Sequence, residues 1–199
     1  MTLITTNLIK NLREKTGAGM MLCKEALIAC EGDLEKSILW LRQKGIAIAN
    51  GKIGRPTTEG LVGSYIHTGR IGVLVEVLCE TDFVARTKDF EDLVHTLGMQ
   101  IAACPNVLYV DIQDIPNSFI ETENELENSK PDIINKPSQI REKIVEGRLN
   151  KKFKDITLMN QPYIRDNTLT ISDLVKNFSA KVGENIVIKK FVRFVLGQP

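Results

Sequence analysis

The first 45 residues carry apolar positions at helical spacing, in three short runs. Gly17 and Gly19 separate the first two runs, Asp33 is a suitable N-cap for the third, and Gly45 stands where a helix commonly ends. The pattern predicts a three-helix module over residues 1–45, and helices this short bury little surface by themselves. The apolar positions are Ile4, Leu8 and Leu12; Cys23, Ala26, Leu27 and Cys30; and Leu34, Ile38 and Leu41.

A change in composition marks residues 46–59 as a boundary. Gly51, Gly54 and Pro56 interrupt the apolar pattern, and basic residues lie between them. Such a stretch is typical of a polar linker or of a frayed helix. The sequence therefore predicts a linker here and a second domain over residues 60–199.

The second domain opens with two strand patterns and a helix pattern. Mostly apolar runs at 61–67 and 71–79 flank a glycine-containing break, which predicts a β-hairpin. An amphipathic pattern starts near Thr87 and stops before Pro105. The start of this domain therefore reads strand, strand, helix.

The remainder of the second domain alternates between the two kinds of pattern. Residues 107–110 form a short strand candidate, and the Asn- and Glu-rich stretch 111–136 has room for one short helix. Helix patterns over 138–153 and towards Lys181 precede a near-alternation of apolar residues in 185–196, which predicts a strand. This order indicates an α+β fold with a mostly antiparallel sheet and helices on one face.

Composition and charge narrow the classes of function. Of the 199 residues, 43% are hydrophobic and 26% are charged, as in soluble globular proteins, and the net charge of +1 gives no reason to expect nucleic acid or membrane as a partner. No apolar stretch is long enough to span a bilayer, and the N-terminus lacks the layout of a secretory signal or transit peptide. We therefore expect the protein to act where it is made.

The spacing of reactive residues predicts neither catalysis nor a metal site. Gly17-Ala18-Gly19 follows a helix instead of a strand, and Gly51-Lys52 is not followed by Ser or Thr, so neither is a phosphate-binding loop. The four cysteines are irregularly spaced, which is typical of buried free thiols in a reducing compartment; they are Cys23, Cys30, Cys79 and Cys104. We expect no cofactor, no metal and no catalytic residue.

Two alternative classes of function stay open at this point. A small metabolic enzyme requires a pocket with convergent polar groups, which we place near residues 61–100. An RNA-binding module requires a basic face that carries aromatic residues. The candidates for that face lie on the last predicted strand and are Lys189, Lys190, Phe191, Arg193 and Phe194.

The stretch 76–86 crosses from a predicted strand to a predicted helix. Two interpretations fit it: Phe83 and Asp82 project outwards as a wedge, or Phe83 is buried while Asp82 caps the helix. The residues alone favour burial, because aromatic side chains are usually buried. Met20 and Met21 present a similar choice, since either at least one of them is exposed as an adaptable contact or both fill a small core.

Several segments together resemble the translation elongation factor Ts family, and they cover nearly the whole chain in the family's order. The family's usual pattern has an acid at the position of Leu22, which puts in doubt one polar contact of the helical module. It has Asn or Val at the position of Leu78, where we expect a change of packing inside the strand. The matching segments are 12–21 with 23–27; 76–86, centred on Thr81-Asp82-Phe83-Val84; Gly63-Ser64-Tyr65 with His67 and 69–72; 146–149; and 183–186.

This resemblance implies a fold and a function. It implies a ubiquitin-associated-like three-helix module, a linker and an α+β core, and a guanine-nucleotide exchange factor for elongation factor Tu that makes and breaks no bond. Thr81, Asp82, Phe83 and Val84, which we call the wedge segment, would enter the partner's G domain near its Mg²⁺ site. Contacts of the remaining surface with that G domain would come from Arg13, Met20 and Met21 and, more weakly, from His67 and Val182.

The resemblance also bears on partners and on compartment. Elongation factor Tu is the implied partner, both GDP-bound and nucleotide-free, and no direct contact with nucleic acid or membrane is expected. The chain is similar to short members of the family that act as homodimers. The richness in Ile, Asn and Lys suggests an AT-rich genome, so we expect a plastid stroma or a bacterial cytoplasm as the location.

Overall fold

The computed structural model describes residues 4–134 and 136–198, which form two compact units. Met1, Thr2 and Leu3, where the N-terminal prediction begins, lie outside the described residues. The division into 1–45, 46–59 and 60–199 stays a prediction. The first unit comprises the chain up to Leu61, Val77–Glu91 and Asp173–Val187, and the second comprises Val62–Glu76, Asp92–Ser172 and the chain from Ile188.

Three helices open the first unit, as the apolar pattern predicts. They are α1 (Thr6–Thr16), α2 (Met20–Ala29) and α3 (Leu34–Asn50). The side chain of Thr5 accepts a hydrogen bond from Leu8 N, and that of Asp33 accepts one from Lys36 N, so both N-termini are capped. Their shared core contains Leu12, Cys23, Ala26, Leu27 and Leu41.

The predicted end of the third helix at Gly45 is wrong. Gly45 is buried within α3, which continues to Asn50 and is followed by Gly51 as its C-cap. A Cβ on Gly45 would lie 3.4 Å from the Cβ of Ala180, so a small residue fits a close packing contact here. A glycine inside a helix costs roughly 1 kcal/mol in chain entropy, and tertiary packing of this kind offsets such a cost. Residues 46–50 are therefore helical, and the frayed-helix alternative fits this part of 46–59 better than the linker does.

Three longer strands form one sheet. They are β1 (Glu59–His67), β2 (Ile71–Cys79) and β5 (Val187–Val195), in the antiparallel order β1-β2-β5. The predicted hairpin and the predicted last strand are thus confirmed. After β2 come α4 (Asp82–Ala85) and α5 (Lys88–Ala103), and α9 (Ile171–Val182) precedes β5. The α+β fold class is confirmed.

The second unit holds more structure in its middle than the sequence predicts. Residues 111–134 form a short 3-10 helix and two α-helices instead of one helix, and the strand candidate at 107–110 is reduced to a single bridge between Tyr109 and Thr157. The apolar residues of these elements are few but converge on one cluster. The helices are α6 (Asn117–Asn128), α7 (Pro131–Ile134) and α8 (Ser138–Ile156), the small hairpin is β3 (Pro162–Tyr163) with β4 (Asp166–Thr170), and the cluster is Ile115, Ile133, Val145, Leu149 and Phe153.

Charged pairs join α6, α7 and α8, and we expect acid to weaken them. Arg148 contacts both Glu127 and Asp132. A hydrogen bond from Lys130 lowers the pKa of Glu127, and one from Arg148 lowers the pKa of Asp132. A carboxyl whose pKa is depressed by folding stabilises the fold above its unfolded pKa, and the contribution is lost as pH falls through the folded pKa. Replacing Arg148 with methionine should therefore destabilise the chain at pH 7 and have little effect well below the ordinary carboxyl pKa of about 4.

Thermal unfolding across this pH range measures the effect. The matched control is Arg141→Met on the same helix, which should change stability little at any pH. A destabilisation by Arg148→Met that is equally large in acid would show that packing of the arginine stem, and not its charge, stabilises these helices.

Candidate functional site

The short helix α4 presents the wedge segment at the end of β2. Phe83 is 82% exposed, the most exposed of the large apolar side chains that the structure describes. The interpretation favoured by the residues alone, a buried Phe83, is therefore wrong. At this exposure the ring contributes little stabilisation to the core. An exposed aromatic side chain of this kind is typical of a contact surface for another molecule.

The predicted cap role of Asp82 is also wrong. Thr81 is the N-cap of α4, and its Oγ1 accepts a hydrogen bond from Val84 N at 3.5 Å. The start of α5 is capped by another threonine, because Phe90 N donates to Thr87 Oγ1 at 3.3 Å. With both caps supplied by hydroxyls, Asp82 is left half-exposed, and its Oδ2 pairs with Arg86 Nη2 at 3.0 Å.

A carboxylate from a distant part of the chain holds the start of α4. Glu184 Oε2 accepts hydrogen bonds from Glu80 N at 3.0 Å and from Thr81 N at 3.1 Å, and Glu184 Oε1 accepts one from the Thr81 hydroxyl at 2.5 Å. Sequence reasoning noted residues 183–186 only as a matching segment and gave Glu184 no role. A contact between residues 103 positions apart has no periodicity, so spacing carries no signal for it.

The neighbouring acid makes the reciprocal contact. Glu80 Oε1 accepts a hydrogen bond from Asn185 N at 2.6 Å, and Glu80 Oε2 lies 3.6 Å from Arg55 Nη1. Asn185 is itself buried, and its side-chain amide donates to the Arg55 carbonyl at 3.0 Å. The backbone N–H groups of Glu80 and Thr81 therefore donate to Glu184, and that of Asn185 donates to Glu80. These reciprocal hydrogen bonds fix the backbone at the start of the wedge segment.

The thiol beneath this junction is not set up for chemistry. Cys79 is buried at the end of β2, and burial, followed by the nearby charge of Glu184, raises the pKa of the thiol. A raised pKa keeps it protonated, and the thiolate is the reactive form. Each of the four cysteines, all within the described residues, is free, as expected, but the expectation of burial is correct only for Cys23 and Cys79, since Cys30 and Cys104 are half-buried.

The helical module presents a second candidate surface on the same unit. Met20 and Met21 open α2 and are 41% and 69% exposed, so the alternative in which both fill the core is wrong. Arg13 is exposed on the last turns of α1. Leu22, the first of the two departures noted above, is half-buried and packs against the core of the three helices.

The C-terminal end of α9 lies near both candidate surfaces within the first unit. Lys181 Nζ contacts Asp89 Oδ2 at 2.7 Å, close to the wedge segment in the chain. A Cβ on Gly17, in the turn that precedes Met20, would lie 3.5 Å from Lys181 Cε. Lys52, just after α3, donates to the carbonyl of Gly183. Helical module, wedge segment and α9 are therefore tied together.

The two weaker candidates have different positions. Val182 is half-buried as the last residue of α9, in the first unit, while His67 is exposed at the end of β1 in the second unit. Tyr65 Oη and His67 Nδ1 are 3.0 Å apart, so a neighbour on the same strand orients the imidazole. The first unit thus brings together every predicted site residue except His67.

The described residues offer little to the alternative functions. They contain no cluster of His, Cys, Asp or Glu that could hold a metal ion, and none of their helices is long and apolar enough to cross a membrane. An open cavity of about 360 Å³ in the second unit is lined mainly by apolar residues and glycines, with Arg70 as the one charged side chain. Of the proposed RNA contacts, Lys190 pairs with Glu76, and Arg193 donates to the Pro105 carbonyl.

Comparison with known proteins gives a consistent result. Residues 46–198 match the family described as elongation factor TS. A protein described as elongation factor Ts from Synechocystis sp. is 60% identical over 98% of this chain and 90% of its own length. Those from Synechococcus elongatus and Gloeothece citriformis are 59% and 58% identical over 98% of this chain, and over 89% and 68% of their own lengths. The matched residues include the wedge segment and Glu184.

Proposed function

The chain belongs to the elongation factor Ts family, and we propose that it is a guanine-nucleotide exchange factor for elongation factor Tu. The observation that carries the proposal is Phe83, exposed on a four-residue helix whose start is fixed by Glu184. An apolar side chain held outwards on a fixed backbone is suited to enter a partner's pocket without a large ordering cost.

The proposed mechanism is a coupling between two ligands of one partner. Mg²⁺ requires near-ideal octahedral geometry and connects a G domain to its nucleotide phosphates, so a small displacement of the supporting loop weakens nucleotide binding. Asp82 and Phe83 would bind best to the displaced loop. By linkage, the chain then weakens GDP binding by the same factor by which GDP weakens binding of the chain. It accelerates release without fixing the direction of exchange, and no covalent bond changes.

We assign the rest of the docking surface to the helical module. Met20 and Met21 offer adaptable apolar contacts, and Arg13 offers a charge beside them. Val182 and His67 are weaker contact candidates. The partner would be bound in its GDP-loaded and nucleotide-free forms. The wedge segment, Arg13, Met20, Met21 and Val182 share the first unit, which supports a single combined footprint for them but not for His67.

Release of a fluorescent GDP analogue from purified elongation factor Tu tests the function directly. Stopped-flow traces should show faster release as the chain is added, up to a plateau. Excess unlabelled GDP should then displace the chain from the complex. Release that stays at the intrinsic rate over the whole concentration range would refute the proposal, and a shift of ribosomal RNA at physiological salt would favour the RNA-binding alternative.

We also propose a second copy of the chain as a partner, and this predicts a charge-sensitive homodimer. On the sheet of the second unit, Ile66, Phe194 and Leu196 line one open cavity and are exposed together. A buried Phe at the centre of an interface commonly contributes 2 kcal/mol or more, so Phe194→Glu should weaken self-association by roughly 30-fold or more. Analytical ultracentrifugation measures the dissociation constant.

The control for the dimer is Lys189→Glu on the same strand. Alternation along β5 places residue 189 on the other face from Phe194, so this change should leave self-association nearly intact. A wild-type chain that stays monomeric at concentrations of roughly 100 micromolar would contradict the dimer.

The similarity to cyanobacterial proteins supports a bacterial cytoplasm or a plastid stroma as the location of this chain.

A further inference from the structure

We propose that Glu184 is a positioning residue that orients Asp82 and Phe83 for the partner by holding Thr81; this role rests on the proposed exchange function. One carboxylate accepts three hydrogen bonds at the start of α4, from Glu80 N, Thr81 N and the Thr81 hydroxyl. Hydrogen bonds to an ionised acceptor are roughly twice as strong as neutral ones.

The helix that carries Phe83 needs such a support. It spans only Asp82–Ala85, and none of its residues is buried. A single helical turn is unfavourable by itself, because several backbone dihedrals are fixed for one hydrogen bond. Neither full burial nor length therefore holds α4 in place, and the contacts at its two ends have to do so: those before its first residue, and the Thr87 hydroxyl that donates to the Val84 carbonyl at 2.8 Å.

The backbone of the segment after α9 holds the Glu184 carboxylate next to Thr81. Gly183 has φ +80°, a left-handed conformation that glycine adopts without strain and that ends the helix. The Ser179 hydroxyl donates to the Glu184 carbonyl, and Asn185 N donates to Glu80 Oε1 at 2.6 Å. With its backbone fixed on both sides, Glu184 reaches the wedge segment in a defined orientation.

The chemistry at this position requires a carboxylate. All three groups that face Glu184 are donors, and an ionised carboxylate is an acceptor at both oxygens. A glutamine could keep its amide oxygen on the two backbone N–H groups, but it would place its NH₂ group against the Thr81 hydroxyl in place of an acceptor and would remove the charge. Glu184→Gln is therefore a nearly isosteric change that weakens the support while keeping the volume of the side chain.

The role predicts a specific effect on exchange. If α4 is pre-ordered, binding does not have to order it, and the partner meets Phe83 in its working orientation. In Glu184→Gln the maximal rate of GDP release should fall about tenfold, as expected for the loss of one or more charged hydrogen bonds. The concentration of chain at half-maximal rate should change less than threefold, since Met20, Met21 and Arg13 still bind.

The test combines kinetics with a double substitution. In the Phe83→Ala background, Glu184→Gln should slow release by clearly less than the tenfold seen alone, because the part of its effect that passes through Phe83 is already lost and only the part that passes through Asp82 remains. Glu142→Gln, an exposed glutamate on α8 in the other unit, is the matched control. Fully additive effects of Glu184→Gln and Phe83→Ala would overturn the positioning role.

Amide hydrogen exchange of the free chain gives a readout that does not involve the partner. In Glu184→Gln, the amides of residues 80–85 should exchange about tenfold faster, with unchanged protection in α1–α3 and α5. A uniform rise across the first unit would show a general structural role and overturn the proposal. If the wild-type chain has no effect on GDP release, the exchange function is overturned and this role with it. If Phe83→Ala slows GDP release while Glu184→Gln promotes it at the wild-type rate, this role alone is overturned.

Discussion

Replacing Phe83 with alanine is expected to slow the maximal rate of chain-promoted GDP release by roughly 30-fold or more, which corresponds to at least about 2 kcal/mol for an aromatic anchor in a pocket. Phe83 is 82% exposed in the free chain, so its removal leaves no cavity in the core. The melting temperature should therefore stay within about 2 °C of the wild type, since surface substitutions usually change stability by under 0.5 kcal/mol. Stopped-flow release and thermal unfolding measure the two quantities.

A matched control separates loss of this contact from loss of exposed apolar surface in general. Leu126 is 53% exposed on α6, in the other unit, and Leu126→Ala should release GDP at the wild-type rate. Wild-type kinetics for Phe83→Ala would remove Phe83 from the mechanism. Loss of the cooperative melting transition would instead show that the ring is buried in solution.

The largest effect on stability is expected for Gly60→Ala, which should lower the free energy of unfolding by about 3 kcal/mol. Gly60 has φ +151°, which L-residues rarely adopt, and a Cβ there would lie 2.2 Å from the Val77 carbonyl oxygen and 2.8 Å from Leu78 Cα. Both neighbours are backbone atoms, so β1 would have to move from β2. The melting temperature should fall by roughly 6–12 °C for a chain of this size.

Gly147→Ala is the control for this prediction. Gly147 lies within α8, with no described atom within 4 Å of a Cβ at that position. Alanine there removes chain entropy from the unfolded state and should stabilise the helix by about 1 kcal/mol. Equal stability of the Gly60→Ala chain and the wild type would mean that the close approach of the two strands is absent in solution.

Periodicity in the sequence predicted those parts of the fold in which burial follows local pattern. Leu12 and Leu27 repeat at helical spacing and are fully buried in the core of the three helices. The alternating strand patterns likewise became β1, β2 and β5. These predictions succeeded because each element buries one face, and the period of the pattern reports that face directly.

The errors occurred where tertiary contacts decide the local structure. Gly45 has the sequence signature of a helix end, but a close contact with Ala180 keeps it inside α3. In 111–134, few apolar residues were visible, yet Ile115 and Ile133 meet α8 in a common cluster. Helix propensity and turn signals are weak beside such packing.

The candidate site was predictable only in part, for a related reason. Burial statistics apply to an average Phe, and Phe83 departs from the average because its side chain lies outside the core, where the proposed function gives it a partner to contact. The resemblance to a family identified the wedge segment, whereas Glu184 emerged from the structure. The hydrogen bonds between Glu184 and Thr81 form only when the fold brings these distant residues together.

The separation of these contacting residues has a consequence for how the chain matures. The first unit is assembled from three stretches of sequence, the last of which is Asp173–Val187. Contacts between distant residues form slowly, and synthesis delivers the chain from its N-terminus at roughly 5–20 residues per second. The three helices are made before the wedge segment, and Thr81 waits for Glu184 during the synthesis of about a hundred further residues. A nascent chain that has not reached Glu184 therefore carries the wedge segment without its support, and under the proposed function it becomes competent to act on a partner only after residue 184 has been made and folded.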